Sequence, residues 1–392
     1  MMYQLRDYQQ QAVNAAVNFF TSPTKGNAIM VLPTGAGKSL VLANIALSLS
    51  APVLIFQPGR EILQQNYEKL LSYGFDEAGI FSASFGRREI KMITFATIRS
   101  VKNYKEYFSK FKYVLIDECH LVNPEQGMYK DFFDTIRCKI LGVTATPYSL
   151  YSSLMGSMLK FITRTCPRIF SHVIYQIQIA ELLRRGYLAQ LNYYSLNVVE
   201  PNLLTLNSTG SDYSEESLRK YYEDIKYNDT LENIVRRLLK AGRGSVLVFT
   251  RFVEEAEALA ETLGADIART VSADMKKNDR IRILNNFKSG KIKVVVNVGI
   301  LTTGFDFPAL ATVVLARPTM SLALYYQMVG RAIRPYKDKI GWIVDLCGNL
   351  RRFGRVDELY LHDTGDGKWA VFSGQKQLTN VFLDRGYGKK ER

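Results

Sequence analysis

Short uninterrupted runs of apolar residues alternate along the chain with segments in which apolar residues recur at helical spacing. Such runs lie within residues 28–32, 52–58 and 113–117 in the first half, and within residues 245–250 and 312–316 in the second. Continuous apolar strands separated by helices are typical of a parallel sheet that helices cover on both faces. The pattern therefore predicts an α/β fold in which two mostly parallel sheets, each with helices on both faces, follow one another.

Helical spacing of apolar residues predicts, among others, helices over residues 7–20 and 322–333. The periodicity weakens in the middle of the chain, between about residues 148 and 228. We therefore expect the boundary between two domains near residue 205. The predicted domains are residues 1–205 and residues 206–392.

A glycine-rich segment, Leu32-Pro33-Thr34-Gly35-Ala36-Gly37-Lys38-Ser39, joins the first predicted strand to a predicted helix. Glycines allow several backbone N–H groups to point at one spot, and a helix N-terminus adds a partial positive charge, so the segment suits phosphate. Lys38 is expected to reach the β- and γ-phosphates of a nucleotide, and the Ser39 hydroxyl to hold Mg²⁺.

Strict forms of this loop begin with glycine, whereas this chain has Leu32 at that place, so the match is to the Pro-Thr-Gly-x-Gly-Lys-Ser variant. An ordinary glycine-rich turn is the alternative, and the strand–turn–helix context favours phosphate binding over it. The residues predicted to bind the nucleotide here are Pro33, Thr34, Gly35, Ala36, Gly37, Lys38, Ser39 and Leu40.

Charge and cysteine content narrow the class of protein. The chain of 392 residues has 51 Lys and Arg against 37 Asp and Glu, a formal net charge of +14. The positive electrostatic potential that such a charge produces favours a polyanionic partner such as nucleic acid. The four cysteines include no C-x-x-C pair, so neither a zinc site nor a disulfide framework is expected. Neither a signal peptide nor an 18-residue apolar run is evident, so we expect a soluble intracellular protein.

A second polar group, Asp117-Glu118-Cys119-His120, ends another apolar run. Ligands of open parallel sheets bind beyond the carboxyl ends of the strands, so this group and the phosphate loop are expected to face one crevice. Asp117 suits Mg²⁺, directly or through water, and Glu118 suits a base that orients or deprotonates the attacking water. Cys119 and His120 as metal ligands are the less favoured alternative.

Together with the phosphate loop and this acidic group, seven more segments form an ordered series. They are Leu5-Arg6-Asp7-Tyr8-Gln9, Phe56-Gln57-Pro58-Gly59-Arg60, Thr94-Phe95-Ala96-Thr97, Thr144-Ala145-Thr146-Pro147, Val248-Phe249-Thr250-Arg251, Leu301-Thr302-Thr303-Gly304-Phe305-Asp306 and Gln327-Met328-Val329-Gly330-Arg331-Ala332-Ile333-Arg334. In order and spacing the series resembles the motifs of superfamily 2 nucleic-acid helicases of the DEAD/DEAH type, with a DECH box. Its finer likeness is to bacterial RadD-like and phage UvsW-like DNA helicases.

The resemblance implies two tandem RecA-like domains with ATP and Mg²⁺ in the cleft between them. It implies that Gln9 reads the adenine edge, where a carboxamide can both donate and accept, and that Arg6 and Tyr8 flank it. Thr144 and Thr146 would couple hydrolysis to domain movement. The alternatives are a helix-surface position for Gln9 and a hydroxyl-stabilised turn for the two threonines.

Arg331 and Arg334 lie three residues apart, on the predicted helix 322–333 or at its end. The resemblance implies that both guanidinium groups reach the nucleotide held by the first domain and that Gln327 belongs with them among the catalytic residues. Gly304 and Asp306 would support the ribose or the two arginines. A solvated basic helix end is the alternative for the arginines.

The resemblance also implies a nucleic-acid path across both domains, opposite the ATP cleft. Contacts with the sugar-phosphate backbone carry no base code, so binding is expected to be independent of sequence and to weaken with salt. Any one of the threonines could instead be a cap or turn residue. The expected contact residues are Gln57, Gly59, Arg60, Thr94, Thr97, Thr250, Arg251, Thr302 and Thr303.

These observations predict an ATP-dependent helicase or translocase that unwinds or remodels branched or duplex DNA in the cytoplasm of a bacterial or phage-infected cell. Replication or repair proteins are its expected partners. The alternatives are an RNA helicase and a non-unwinding translocase on double-stranded DNA that works with a separate nuclease or repair protein. An inactive strand clamp would predict broken motifs, and a phosphate-loop kinase or transporter would not account for residues 327–334.

Overall fold

The computed structural model describes residues 4–153, 156–302 and 305–382, and it divides the chain into two compact units. The first unit comprises Met1–Ser149, Lys160–Gln178 and Leu361–Val371; the second comprises Leu150–Leu159, Ile179–Tyr360 and Phe372–Arg392. No helix in these described ranges is both long enough and apolar enough to cross a lipid bilayer.

The strands, numbered along the chain, are mostly short. They are β1 (Asn27–Val31), β2 (Val53–Phe56), β3 (Ala78–Ser82), β4 (Arg87–Arg88), β5 (Ile93–Ala96), β6 (Tyr113–Asp117), β7 (Lys139–Thr144), β8 (Tyr148–Ser153), β9 (Gly156–Phe161), β10 (Phe170–Gln176), β11 (Leu191–Ser195), β12 (Val246–Thr250), β13 (Ala268–Val271), β14 (Val294–Val298), β15 (Thr312–Leu315), β16 (Gly341–Asp345), β17 (Leu359–Asp363), β18 (Trp369–Ser373) and β19 (Lys376–Gln377).

The α-helices lie between the strands in sequence. They are α1 (Asp7–Thr21), α2 (Lys38–Leu47), α3 (Arg60–Leu71), α4 (Ile98–Val101), α5 (Met128–Thr135), α6 (Ile179–Arg184), α7 (Glu215–Asp224), α8 (Tyr227–Lys240), α9 (Val253–Leu263), α10 (Lys277–Lys288), α11 (Leu322–Val329) and α12 (Asn349–Phe353).

The first unit is built on an eight-stranded sheet with the strand order β10-β1-β7-β6-β2-β5-β3-β4. Neighbouring strands run parallel, except for the antiparallel pair β3 and β4 at one edge. All four residues of β2 are buried, which is the burial expected of a strand inside a parallel sheet with both faces covered.

The second unit is built on a six-stranded, fully parallel sheet with the order β11-β16-β15-β12-β14-β13. Its core combines valines of β12, β14 and β15 with the apolar faces of α8 and α9. Two smaller sheets complete the described strands: β8 pairs with β9, and β17, β18 and β19 form a three-stranded sheet.

The predicted fold class, two tandem α/β domains with mostly parallel sheets, is confirmed. The structure differs from the prediction of a boundary near residue 205, because residues 179–205 belong to the second unit. Their strand β11 pairs along its length with β16, so that Leu191 lies opposite Gly341 and Ser195 opposite Asp345. A pairing over such a sequence distance leaves no local signal.

The predicted helix over residues 322–333 ends earlier than expected. Helix α11 stops at Val329, with Gly330 as its C-cap, although the apolar pattern continues to Ile333. Arg331 and Arg334 therefore lie beyond the helix, in a turn segment, rather than on one helical face.

Candidate active site

Three neighbouring strands bring the phosphate loop and the acidic group together. Strands β1, β7 and β6 lie side by side, with Val31 opposite Thr144 and Asp117 opposite Val143. The loop leaves β1 at this edge, where the backbone N–H of Leu32 donates to the Thr144 carbonyl over 3.0 Å. The two groups thus share the carboxyl edge of the sheet, which is where parallel α/β sheets bind their ligands.

The loop has the backbone shape that a phosphate cradle needs. Gly35 and Gly37 have φ angles of +84° and +80°, a region that other residues rarely adopt. A Cβ atom on Gly37 would also lie only 2.4 Å from the Nε2 atom of Gln9. Helix α2 begins at Lys38, so the free N–H groups of its first turn follow directly and favour an anion.

Two residues in the first turn of helix α1 hold this loop by hydrogen bonds. The Tyr8 hydroxyl and the Gln9 Nε2 atom both donate to the Ala36 carbonyl, each over 2.9 Å. The Gln9 Oε1 atom accepts the backbone N–H of Arg6 over 2.9 Å. Gln9 is therefore a buried brace of the phosphate loop rather than a helix-surface residue, and its reading of adenine stays a prediction.

The Glu118 carboxylate lies at the centre of a polar network on the same edge. Its Oε1 atom is 3.6 Å from Lys38 Nζ, and its Oε2 atom is 3.4 Å from both the Thr144 hydroxyl and His120 Nδ1. The same His120 atom lies 2.8 Å from Thr144 Oγ1 and 3.2 Å from Thr146 Oγ1. One network thus joins the lysine of the loop, the acidic group and the two predicted coupling threonines.

Asp117 is buried next to Glu118 and is held by two donors. The backbone N–H of Glu118 donates to its Oδ1 atom over 3.0 Å, and Asn66 Nδ2 donates to its Oδ2 atom over 3.2 Å. Burial, and after it the repulsion from Glu118, raises the pKa of Asp117 above its ordinary value. Two adjacent carboxylates of this kind are a site that a cation would stabilise.

The donor set fits a magnesium ion that shares its coordination with a nucleotide. In the described parts of the chain no group of three or more His, Cys, Asp or Glu side chains could hold a metal ion alone. Mg²⁺ typically takes one or two protein ligands and completes its octahedron with phosphates and water, which suits Ser39 and Asp117. Cys119 is buried and would touch any Cβ atom on Gly142, so its thiol packs against β7.

Arg331 in the second unit is buried and faces backbone carbonyls. Its Nη1 atom donates to the Phe305 carbonyl and its Nη2 atom to the Thr302 carbonyl, each over 2.8 Å, and its Nε atom donates to the Gln327 carbonyl over 3.3 Å. The guanidinium thereby ties the carbonyls of Thr302 and Phe305 to the carbonyl of Gln327 in α11. This differs from the expectation that Arg331 reaches a nucleotide, because its guanidinium is engaged within its own unit.

Arg334 has a different setting, because it pairs with the exposed Asp306 carboxylate. Burial lowers the pKa of Arg334, and burial followed by repulsion from Arg334 lowers the pKa of Lys288 and brings the pKa of Lys339 to about 8. Of the two alternatives for Asp306, ribose or arginine, the described contact is with an arginine. Gly304, predicted beside it, lies outside the described residues, and so does Thr303.

The residues of the first unit that were predicted to contact nucleic acid differ in how exposed their side chains are. Arg60 is exposed, and Gly59 has no atom near the position of an added Cβ. Thr97 is half-buried, caps the short helix α4 and has its hydroxyl 2.9 Å from that of Ser100. Thr94 is fully buried and its hydroxyl donates to the Lys91 carbonyl over 2.9 Å, so its contact with nucleic acid stays a prediction.

Gln57, another candidate, is buried as well, with an exposed fraction of 1%. Its Oε1 atom accepts a hydrogen bond from Asn66, whereas its Nε2 atom is buried without a hydrogen-bond partner among the described residues. A contact of this side chain with nucleic acid would require the carboxamide to turn outward.

In the second unit the contacts of Thr250, Arg251 and Thr302 with nucleic acid also stay predictions. Thr250 is the fully buried last residue of β12, and its hydroxyl donates to the Phe252 carbonyl over 3.4 Å. Arg251 is half-buried and pairs with Asp212 Oδ2 over 3.4 Å and with Glu215 Oε1 over 3.0 Å. Thr302 is half-buried and its carbonyl accepts Arg331.

One polar residue of the site was missed by the sequence reasoning. Asn66 lies on helix α3 with an exposed fraction of 2% and donates to both Gln57 and Asp117. A signal was present, because Asn66 follows Leu63 by three residues and precedes Leu70 by four, which puts a carboxamide on the apolar face of the helix.

Comparison with known families agrees with this site. The model of the res subunit of type III restriction enzymes matches residues 2–149, and the model of the helicase conserved C-terminal domain matches residues 227–336. Between them the two models contain the phosphate loop, the acidic group and the segment of Arg331 and Arg334. The chain belongs to the superfamily 2 helicases.

Relatives of this superfamily 2 helicase are distant but match over most of its length. A 51.5 kDa protein of a Lactococcus phage is 26% identical over 357 residues, 89% of this chain and 72% of the relative. The DNA 3'-5' translocase XPB2 of Sulfurisphaera tokodaii is 25% identical, over 88% of this chain and 81% of its own length. The ATP-dependent DNA helicase uvsW of Enterobacteria phage T4 is 23% identical, over 91% and 71%.

A solved structure supports the fold. The ATP-dependent Type ISP restriction-modification enzyme LlaBIII, bound to DNA, matches with a TM-score of 0.65 and 18% identity over 88% of this helicase chain. The chain spans 28% of that enzyme. The relatives confirm the predicted helicase class and its use of ATP. They include uvsW, which the predicted likeness to UvsW-like helicases named. The likeness to RadD-like proteins stays a prediction.

Proposed function

We propose that the chain is an ATP-driven DNA helicase or translocase whose first unit holds the nucleotide on the loop between Leu32 and Ser39. The observation that carries the proposal is the network at one sheet edge, with Lys38 Nζ 3.6 Å from Glu118 Oε1 and Asp117 beside it. A lysine, two carboxylates and a glycine-rich turn are the groups that a nucleoside triphosphate and its magnesium ion need.

In this proposal each side chain has a separate part. Lys38 and the backbone N–H groups bind the β- and γ-phosphates, whereas Ser39 and Asp117 hold Mg²⁺, which neutralises phosphate charge when it is bound. Glu118 orients the attacking water and accepts its proton. Because His120, Thr144 and Thr146 contact Glu118 or one another, they keep that carboxylate in place.

Arg334 is proposed as the cation that stabilises charge on the transferred phosphoryl group. Asp306 supports this proposal, because its exposed carboxylate pairs with Arg334 and is a partner that a phosphate could replace. Arg331 is proposed to hold the backbone at Thr302 and Phe305. Gln327, on helix α11, is proposed to act with the arginines, and Leu40, in the first turn of α2, is proposed to lie beside the nucleotide.

DNA is the proposed substrate for two reasons. The relatives XPB2 and uvsW are named as acting on DNA, and the chain carries a net charge of +14. A polyanion with a regular backbone suits the exposed Arg60 and the open backbone at Gly59. Replication or repair proteins as partners, and a cytoplasmic location in a bacterial or phage-infected cell, are proposed as well.

The substitution Lys38→Ala tests the nucleotide site. We expect ATP turnover to fall by at least about 100-fold, the loss typical of removing one preorganised charge from a site, while some DNA binding remains. Lys25→Ala, which removes an exposed lysine of the same unit, is the matched control and should leave turnover unchanged. Unchanged turnover in Lys38→Ala would refute the site.

The nucleic-acid substrate is tested by ATP turnover with single-stranded, double-stranded and branched DNA and with RNA. Stimulation by DNA above that by RNA is the expected result, and the reverse order would favour an RNA helicase. Strand displacement on forked DNA then separates the two forms of the proposal, because a translocase that does not unwind would hydrolyse ATP without releasing a strand.

A further inference from the structure

We infer that Asn66 is a positioning residue that makes ATP turnover depend on DNA, by linking the predicted strand-binding segment at Gln57 to the carboxylate of Asp117. The inference rests on the proposed function, since it concerns the communication between two sites of the same enzyme. It assigns a residue that lies in none of the helicase-like segments of the sequence.

The link consists of one amide nitrogen and two oxygen atoms. Asn66 Nδ2 donates one hydrogen bond to Gln57 Oε1 over 2.9 Å and another to Asp117 Oδ2 over 3.2 Å. The exposed fractions of Gln57, Asn66 and Asp117 are 1%, 2% and 5%, so no solvent replaces these bonds. Both hydrogen atoms of the amide are committed, one to each partner.

The two oxygen atoms come from neighbouring strands of one sheet. Gln57 directly follows β2 and Asp117 ends β6, and the two strands are paired with Phe56 opposite Ile116. Asn66 reaches both from helix α3, which begins at Arg60, immediately after the candidate contact Gly59. The helix that starts at the predicted DNA segment therefore also carries one of the two donors that hold Asp117.

The Gln57 carboxamide is the group whose hydrogen bonds can change. Its Nε2 atom is buried and has no hydrogen-bond partner among the described residues, and an unsatisfied buried donor is unfavourable. A phosphate oxygen of bound DNA beside Gly59 would give this donor an acceptor if the carboxamide turned outward. Gln57 Oε1 would then leave Asn66, whose amide would be held by Asp117 alone.

This exchange gives two arrangements of the same buried bonds. In one arrangement, which the structure shows, the Asn66 amide is shared between Gln57 and Asp117. In the other, which bound DNA would favour, the amide donates to Asp117 alone. DNA thereby changes the support of a carboxylate that is proposed to hold the magnesium ion. Coupling between two sites requires such an element with two states that both ligands bias.

The test compares ATP turnover with and without saturating single-stranded DNA in the full chain. In Asn66→Leu, and in Asn66→Ala should the first variant not fold, we expect the ratio of DNA-stimulated to unstimulated turnover to fall at least about fivefold, the lower end of typical coupling between sites. Gln64→Ala is the matched control, because Gln64 lies on the same helix with an exposed side chain that donates to Glu68.

Two further readouts separate coupling from plain structural support. Binding of DNA should be strengthened by a non-hydrolysable ATP analogue with Mg²⁺ in the wild type, and this strengthening should shrink in Asn66→Leu by a similar factor, because coupling of binding is reciprocal. Gln57→Ala should lower the stimulation ratio as Asn66→Leu does, and the double variant should lose no more than either alone.

Three results would overturn the inference. They are an unchanged ratio in both Asn66 variants, an equal loss of stimulated and unstimulated turnover, and additive losses in the double variant. In each of them the wild type still hydrolyses ATP in response to DNA, so the proposed function stands. A wild type that hydrolyses no ATP would instead remove the proposed function and the inference together.

Discussion

At the scale of single residues, two arginines three positions apart have different tasks. Arg331 is 7% exposed and donates to the carbonyls of Phe305, Thr302 and Gln327, so its charge serves the backbone of its own unit. Arg334 pairs with the exposed carboxylate of Asp306, a partner that a phosphate could replace. The resemblance to helicases named both as catalytic, and the contacts now distinguish them.

The two alanine variants should therefore fail in different ways. We expect Arg334→Ala to lower ATP turnover by roughly 10³-fold or more, with little change in ATP affinity, because a lost guanidinium mainly affects the transition state. Arg331→Ala should lower the free energy of unfolding by about 2 to 4 kcal/mol, since it leaves buried carbonyls without donors. Steady-state kinetics and urea denaturation measure the two effects.

The opposite pattern would contradict this division of labour. If Arg331→Ala were as stable as the wild type and lost turnover as Arg334→Ala does, both arginines would act on the nucleotide. Arg282→Ala, which removes an exposed arginine of the same unit from its pair with Asp279, is a control for the loss of charge alone.

At the scale of elements, a buried carboxyl group, that of Glu255, caps the start of helix α9. The Glu255 Oε2 atom accepts the backbone N–H groups of Arg251 and Phe252, each over 3.3 Å, whereas its Oε1 atom is buried without a hydrogen-bond partner among the described residues. Burial raises the pKa of Glu255 to about 7, against the smaller effect of the two backbone donors. The cap therefore holds a carboxyl group that is easier to protonate in the folded chain.

This arrangement predicts how stability depends on pH. Between about pH 4.5 and pH 7 the folded chain keeps a proton on Glu255 that the unfolded chain has lost, so the free energy of unfolding should fall as pH rises, by up to about 3 kcal/mol in total. Glu255→Gln, which stays neutral, should remove this dependence. Denaturation by urea at several pH values measures it.

The matched control is Glu257→Gln, which replaces an exposed carboxylate on the same helix. It should leave the pH dependence of the wild type intact. Equal slopes in the wild type and in Glu255→Gln would contradict the prediction, because they would mean that the buried carboxyl contributes nothing to the difference in bound protons.

Elements were the part of the fold that the sequence predicted best. Helix α1 was expected over residues 7–20 and spans Asp7–Thr21, and the strands around the phosphate loop and the acidic group are present as expected. Apolar periodicity is a local property, so it survives in any fold that buries the face. The helix predicted over residues 322–333 was too long, because residues 331–333 are buried and therefore look in the sequence like a continuation of α11.

At the scale of the whole molecule, the net charge of +14 dominates the expected interaction with DNA. Binding to the phosphate backbone releases counterions, so the logarithm of the affinity should fall linearly with the logarithm of the salt concentration. For about six phosphate contacts, a rise from roughly 50 to 200 mM salt should weaken binding by about 10³-fold.

Arg60→Ala tests this at one contact. It should weaken binding to all DNA sequences alike and reduce the salt slope by about one unit, whereas Arg99→Ala, which removes an exposed arginine of α4, should change neither. Titrations at several salt concentrations with two unrelated DNA sequences measure both quantities. A loss confined to one sequence would contradict backbone binding.

The sequence by itself determined the class of fold, the phosphate loop and the pair Asp117 and Glu118. These features depend on local properties: apolar runs, glycines that allow positive φ angles, and carboxylates placed at strand ends. The order of the motifs was enough to recognise a superfamily 2 helicase before any contact was known.

The tertiary structure alone decided which polar residues face inward. It buried Thr94 and Thr250, assigned β11 to the second sheet through its pairing with β16, and brought Asn66 between Gln57 and Asp117. Each of these outcomes depends on neighbours that are distant in sequence, because pairing of strands and burial of side chains are set by the packing of the whole unit.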